Sequence, residues 1–221
     1  MLGFGASDRV MKRVASIFVS LVLFTVVCWR FPLFHVVPLK TAAAEKAAAT
    51  FNATQFAETF WTNQLLASID KTVKADVLLS VIHSDAAAAK MKFCRRVGLS
   101  EGYFYFVSGS GRVVAVSDDE ATLAVTDGST NAEVSLQTGL IFGNALRDGT
   151  GLLSANDYPN SQDFNDISAA LNHIVETRTL PKLREQAKVG AKISFVGCAE
   201  VDDEATDLKP LKIIPIETKA E

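Results

Sequence analysis

Val14 to Trp29 reads VASIFVSLVLFTVVCW, an apolar run without a charge. As a helix rising 1.5 Å per residue it covers about 24 Å, and continuing to Phe34 brings it to about 30 Å, the thickness of a bilayer's hydrocarbon core. Arg9, Lys12 and Arg13 precede it, and basic flanks stay on the cytoplasmic side. The pattern therefore predicts a cytoplasmic basic tail over 1–13 and a transmembrane anchor over 14–34. Arg30 would snorkel to the interface beside Trp29. The N-terminus stays inside and the rest of the chain lies beyond an inner membrane. Pro32 and Pro38 stop a helix and favour extended chain, so 35–44 reads as a stalk.

Beyond the stalk the apolar period is helical. Phe51, Phe56, Phe60, Trp61, Leu65, Ile69 and Val73 make one stripe, a core face before it is a binding face. A second helix is expected from Ala75 to about Val97, stopped at Gly98. After Gly102 the period falls to two. Strands are predicted at Tyr103–Val107, Arg112–Val116, Thr122–Thr126 and Ala132–Gln137, with Asp127-Gly128 as a hairpin turn. The glycine-rich stretch from Gly139 to Leu153 lacks the spacing of a phosphate loop and reads as a strand end and tight connection. Helix returns from Asp163 to Lys188, capped by Asp163 or Ser161 and broken at Pro181. Strands follow at Lys192–Val201 and Leu211–Ile216, the latter at an edge because of Pro215, with an acidic loop between them. Residues 217–221 are expected to fray. The sum is an α+β chain: an anchor, a helical pair over 45–97, then a small antiparallel OB-like barrel over 102–216 with an inserted helix. Residues 45–216 form one periplasmic domain.

Charge narrows the function. The 221 residues carry a formal net charge of −3, and the segment up to Pro32 carries +3 of it, leaving −6 on the remainder. An acidic domain without a basic patch repels nucleic-acid phosphates. Three cysteines are present and none form C-x-x-C, so thiolate zinc has no support. Cys94 and Cys198 in an exported domain would be either a disulfide or two buried thiols. Cys28 would be lipidated if a lipobox preceded it, but Val27 is bulky. Cleavage at Ala42-Ala43-Ala44 would fall late for a signal peptide.

His35, His83 and His173 are scattered, and no H-E-x-x-H, G-x-S-x-G or EF-hand loop occurs. The densest polar cluster spans Arg147, Asp148, Asn156, Asp157, Asn160, Asp163, Asn165 and Asp166. Arg147, Asp148, Asn160, Asp163, Asn165 and Asp166 are the candidate ligand contacts, for a sugar's hydroxyls or a cation, with Tyr158 and Phe164 as an apolar platform. The plainer reading is turn residues, a helix cap and an internal ion pair. Two of the carboxylates could serve a hydrolase as an acid–base pair. No catalytic residue, metal or cofactor is assigned.

Several stretches resemble a family pattern. Tyr103–Val116 is similar to "YSF-V-G-G-VV-V", Val134–Gly139 to "V-LQ-G", and Gly143–Asp148 to "GTALRD". Asp157–Asn172 resembles "DF-NQIEYADV-ALN", Gly190–Gly197 "GK-VSFVG", Ile213–Ile216 "ITPV", and Phe31–Leu39 "FPLF-VVPL". These belong to the bacterial domain of unknown function 2291, described as predicted periplasmic lipoproteins. The resemblance runs from Phe31 to Ile216. It implies an envelope location and an OB-like barrel. Members often stand beside sugar-uptake transporter components, which implies a role near carbohydrate import. It supplies no catalytic residues. Asn144 replaces the usual threonine, and Asn165-Asp166 an Ile-Glu. The expected function is therefore a non-catalytic accessory bound to another envelope protein, with a small-ligand binding domain as the alternative.

Overall fold

The computed structural model describes residues 5–30, 51–97, 102–158 and 160–221. They fall into two compact units, Met1–Thr50 and Phe51–Glu221. In the first, α1 runs from Gly5 to Arg30 and takes in the described part of the basic tail. Among the described residues no helix is long and apolar enough to cross a membrane. Ile17, Phe18, Leu21, Leu23 and Phe24 are all exposed. The stalk, His35, the alanine site, residues 45–50, Gly98 and the side chain of Cys28 lie outside the described residues.

The second unit opens with α2, Ala53–Phe60, capped by Asn52, whose Oδ1 accepts from the Gln55 amide at 2.9 Å. The helix continues as a π turn through Leu65 and a 3-10 turn through Lys71. A two-residue strand β1, Val73–Lys74, leads into α3, Ala75–Ser84, and α4, Ala86–Phe93. The single second helix expected to run on to Val97 is two helices. Asp85 breaks it: its side chain caps α4 by accepting from the Ala88 amide at 3.0 Å.

The strands are β2 (Tyr103–Val116), β3 (Glu120–Ala124), β4 (Val134–Gln137), β5 (Lys192–Val201) and β6 (Leu211–Ala220). Their pairings run β2–β3–β4–β6–β5 and return from β5 to β2, a closed cycle of five, with β1 added to the edge of β2. Two pairings, β4–β6 and β1–β2, are parallel, so the sheet is not wholly antiparallel.

β2 is one long strand where two were expected. It pairs with β5 from Tyr103 through Arg112 and with β3 from Arg112 to Val116, so Gly109–Gly111 lies inside the ladder, just before the change of partner. A side chain at Gly111 would press on the Ala124 carbonyl at 2.8 Å. The sequence signal of a turn was therefore the signal of close strand packing.

Side chains alternate across this wall. Tyr103, Tyr105, Val107, Leu123, Leu136, Phe195 and Ile213 point inward, where α3 adds Leu78, Leu79 and Ile82. Phe104, Cys198, Ile214 and Ile216 point outward beneath α2 and the insertion between β4 and β5. That insertion holds α5 (Ala145–Asp148), which was not expected, α6 (Ser161–Ile174) and α7 (Leu180–Gln186). Pro181 does not break the helix. A π turn, Val175–Thr179, precedes it, and the proline takes the first turn of α7, where its missing N–H costs nothing.

The tail also departs from expectation. β6 extends to Ala220, and the Lys192 ammonium pairs with the Glu221 carboxylate at 2.6 Å. β6 is not an edge strand, since it pairs with both β4 and β5, although at Pro215 itself only β5 is paired. The proline sits opposite Gly197 at a register shift, past the last β4 partner of β6. The expected acidic loop contains a short helix α8, Glu204–Asp207.

Candidate functional site

Arg147 and Asp148 sit on α5, 6% and 3% exposed. Arg147 Nε and Nη2 donate to the two Asp148 oxygens at 2.7 and 2.8 Å, a bidentate pair. Nη1 donates to the Phe164 carbonyl at 3.1 Å and to Asn165 Oδ1 at 3.3 Å. The guanidinium lies 3.7 Å from the centre of the Phe164 ring. Every side of this cation is occupied by protein, so Arg147 is a rivet between α5 and α6.

The remaining expected contacts serve their own helix. Asn160 Oδ1 accepts from the Asp163 amide at 2.8 Å, and Asn160 Nδ2 donates to Asp163 Oδ2 at 2.8 Å. Asn160, not Asp163 or Ser161, is therefore the cap of α6. Asp166 accepts from Gln162 at 2.7 Å. Tyr158 packs among Phe51, Phe56 and the buried Phe164, an aromatic cluster and not an open platform. The structure brings together only Arg147, Asp148 and Asn165.

Beneath the start of α5, Glu200 of β5 points outward, and its Oε2 accepts from the Asn144 amide at 3.3 Å. Burial pushes its pKa up against the pull of that N–H, and Asp202 and Asp148 add to the rise. A carboxyl raised on folding contributes stability below its unfolded pKa, and that contribution is lost as pH climbs through the folded value. Wherever Glu200 is ionised, its charge thus weighs against the fold. Glu200→Gln is expected to raise the melting temperature at neutral pH and to change it less near about pH 4, below the ordinary glutamate value. A melting temperature at neutral pH that fell would refute this.

Beside this network lies a cleft of about 510 Å³ between the loop at Ile141–Asn144 and α6. Glu176 anchors the loop, accepting from the Ile141 amide at 3.0 Å. Of the positions that depart from the family pattern, Asn144 and Asn165 line it and Asp166 does not.

A larger cleft of about 1410 Å³ lies between α3, the β3–β4 loop and the outward faces of β2, β5 and β6. Register places Ser110 beside Ser194 beside Lys219, and Ser108 beside Val196 beside Glu217. Ser108 Oγ accepts from Thr72 Oγ1 at 2.8 Å and from Lys74 Nζ at 3.2 Å. Arg112 Nη2 donates to the Ser129 carbonyl at 2.9 Å. Glu133 staples the loop, taking the Val125 and Thr126 amides at 2.8 and 2.9 Å and the Thr126 hydroxyl at 2.7 Å. Burial alone would raise the Glu133 pKa, but these bonds outweigh it and hold it low. His83 lines this cleft and not a metal centre; among the described residues no cluster of His, Cys, Asp and Glu is placed to hold an ion. Sequence reading missed the cleft because its lining comes from separated segments. The available signal was the run of outward serines and charges, Ser108-Ser110-Arg112 and Lys192-Ser194.

Of the two readings left open for the domain cysteines, the structure holds the free thiols: Cys94 is half-buried and Cys198 buried, and neither is bonded. Cys198 packs in the outer layer and Cys94 against the inner core, so the strand wall separates them. Burial pushes the Cys198 thiol pKa well up, which makes it inert.

The strand cycle with its inserted helices places the unit among OB-type folds, mixed α and β. A solved OB-fold protein from Thermotoga maritima is similar over 78% of this chain and 99% of its own, with a TM-score of 0.68 and 24% identity. That likeness carries the fold alone. The chain belongs to the family described as predicted periplasmic lipoprotein (DUF2291), whose pattern matches residues 19–219. No curated protein matches it.

Proposed function

We propose that the chain is a membrane-anchored periplasmic accessory protein that docks another envelope protein in the larger cleft. A component of a sugar-uptake transporter is the candidate partner, as the family resemblance implies. One observation carries the reading: the cleft's 1410 Å³ exceeds the roughly 300–1,000 Å³ of small-molecule sites. Both signs of charge stand round its hydroxyl floor, which suits a polypeptide more than a metabolite. The family's description supports the periplasm. The anchor rests on the uncharged run inside α1 and on its exposed apolar side chains, which need an apolar solvent. The reading assigns no catalytic step.

A photo-crosslinking residue at Ser80, exposed in the cleft wall, is expected to trap one discrete partner in intact membranes. The same group at exposed Lys182, outside the cleft lining, is the control. Equal capture at both positions, or none at Ser80, would sink the proposal. The small-ligand alternative loses the Arg147 contact, since that side chain is fully engaged.

A further inference from the structure

We infer that the smaller cleft is a binding site for a neutral polyhydroxylated small molecule, a sugar or polyol. The inference stands apart from partner docking, because the two clefts share no residue.

Four observations converge on it. The cleft's volume of about 510 Å³ falls inside the small-molecule range. Phe142 stands at its rim 75% exposed, while Ile141 beside it is buried. An aromatic ring held outward by an anchored loop offers a flat apolar face, which fits the C–H face of a sugar ring. The lining is rich in carboxamides. Asn144 Oδ1 is taken by the Ser168 hydroxyl at 2.9 Å and Asn165 Oδ1 by Arg147, which leaves the two Nδ2 groups as donors. The fourth observation is an unmet acceptor. Asn172 is 8% exposed and donates Nδ2 to the Gly143 carbonyl at 3.2 Å, which fixes the amide's orientation, yet its Oδ1 has no partner. That Oδ1 is closed off from solvent, so a ligand hydroxyl meets it only once the lining over it moves aside; a buried acceptor left open costs about 1–3 kcal/mol, which favours that movement.

Donors, an acceptor and an apolar face in one small cleft match a ligand whose hydroxyls both give and take hydrogen bonds. Charge argues the same way. Only Glu176 and His173 bring ionisable groups, and Glu176 is partly spent on the Ile141 amide. An anionic or cationic ligand would find no counter-charge at the floor. Arg147 has a positioning role: it holds Asn165 and does not touch the ligand.

The test uses the full chain in lipid nanodiscs, free of glycoside detergents that would compete. Binding of a panel of neutral monosaccharides, disaccharides and polyols is measured by calorimetry. One of them is expected to bind saturably. Phe142→Ala, at an exposed position, should weaken it about tenfold with an unchanged melting temperature. Asn165→Ala should weaken it too, and Lys192→Ala in the larger cleft should leave it alone. No saturable binding by any of the panel overturns the site. So does binding that neither Phe142→Ala nor Asn165→Ala disturbs, or that Lys192→Ala abolishes. If Phe142→Ala instead removes capture of a partner protein while no sugar binds, the loop is a docking surface and the inference is wrong.

Discussion

Arg147→Met is expected to destabilise the fold by about 3–5 kcal/mol, because it strands a buried carboxylate. Asp148 is 3% exposed, and Arg147 supplies both of its hydrogen bonds. The same change removes the donor to the Phe164 carbonyl and the cation from the face of that ring. The cost is thus mostly a penalty for what is left behind, not the net worth of the pair. That account makes a second demand. Arg147→Met combined with Asp148→Leu should recover most of the loss, since replacing both members of a buried pair with apolar groups is often near neutral. Chemical unfolding of the two variants decides it. A double variant no more stable than the single one would mean that the arginine holds the fold through its other contacts.

The second large effect is expected at Gly197, where even a methyl group should cost about 3 kcal/mol, the upper range for overpacking. A Cβ there would run into the Ile213 side chain and the Ile214 carbonyl. Gly197 lies on β5, between β2 and β6, at the point where the β5–β6 register shifts. The neighbours it would strike belong to the strand that closes the cycle, so they have no room to retreat. Gly128 is the contrast. Its φ of +78° is left-handed but nothing lies within 4 Å of a Cβ there. Gly128→Asn, a residue tolerant of that conformation, should be nearly silent. Thermal unfolding of Gly197→Ala and Gly128→Asn separates crowding from backbone freedom. A silent Gly197→Ala would show that β6 can shift to make room.

Periodicity carried the element types well, because alternation along β2 and β5 reports which side is core whatever the strand pairs with. It could not report pairing. Gly109–Gly111 looked like a turn and is continuous strand inside β2, since only the partner strands reveal why small residues are needed there. Pro215 suggested an edge strand, yet β6 pairs with both β4 and β5, and the proline takes the stretch past the last β4 partner, at a register shift against β5. The polar cluster was read by proximity in sequence, which found Arg147, Asp148 and Asn165 together but could not tell a saturated arginine from a free one. Asn160 and Asp163 follow ordinary capping chemistry, and that plainer reading was already open in the sequence. Asn172 carried no signal at all: an unpaired amide oxygen exists only once the chain is packed.

The strand order also sets a timetable. During synthesis, β2 emerges early, and its first half, Tyr103 to Val107, waits for β5, which follows after the whole inserted helical segment. Throughout that interval an aromatic, β-prone edge lacks its main partner. Non-local pairing of this kind is slow and exposes chains to aggregation. A chain truncated before Lys192 has no route to closing its sheet, so folding should be withheld until nearly the entire polypeptide has been made.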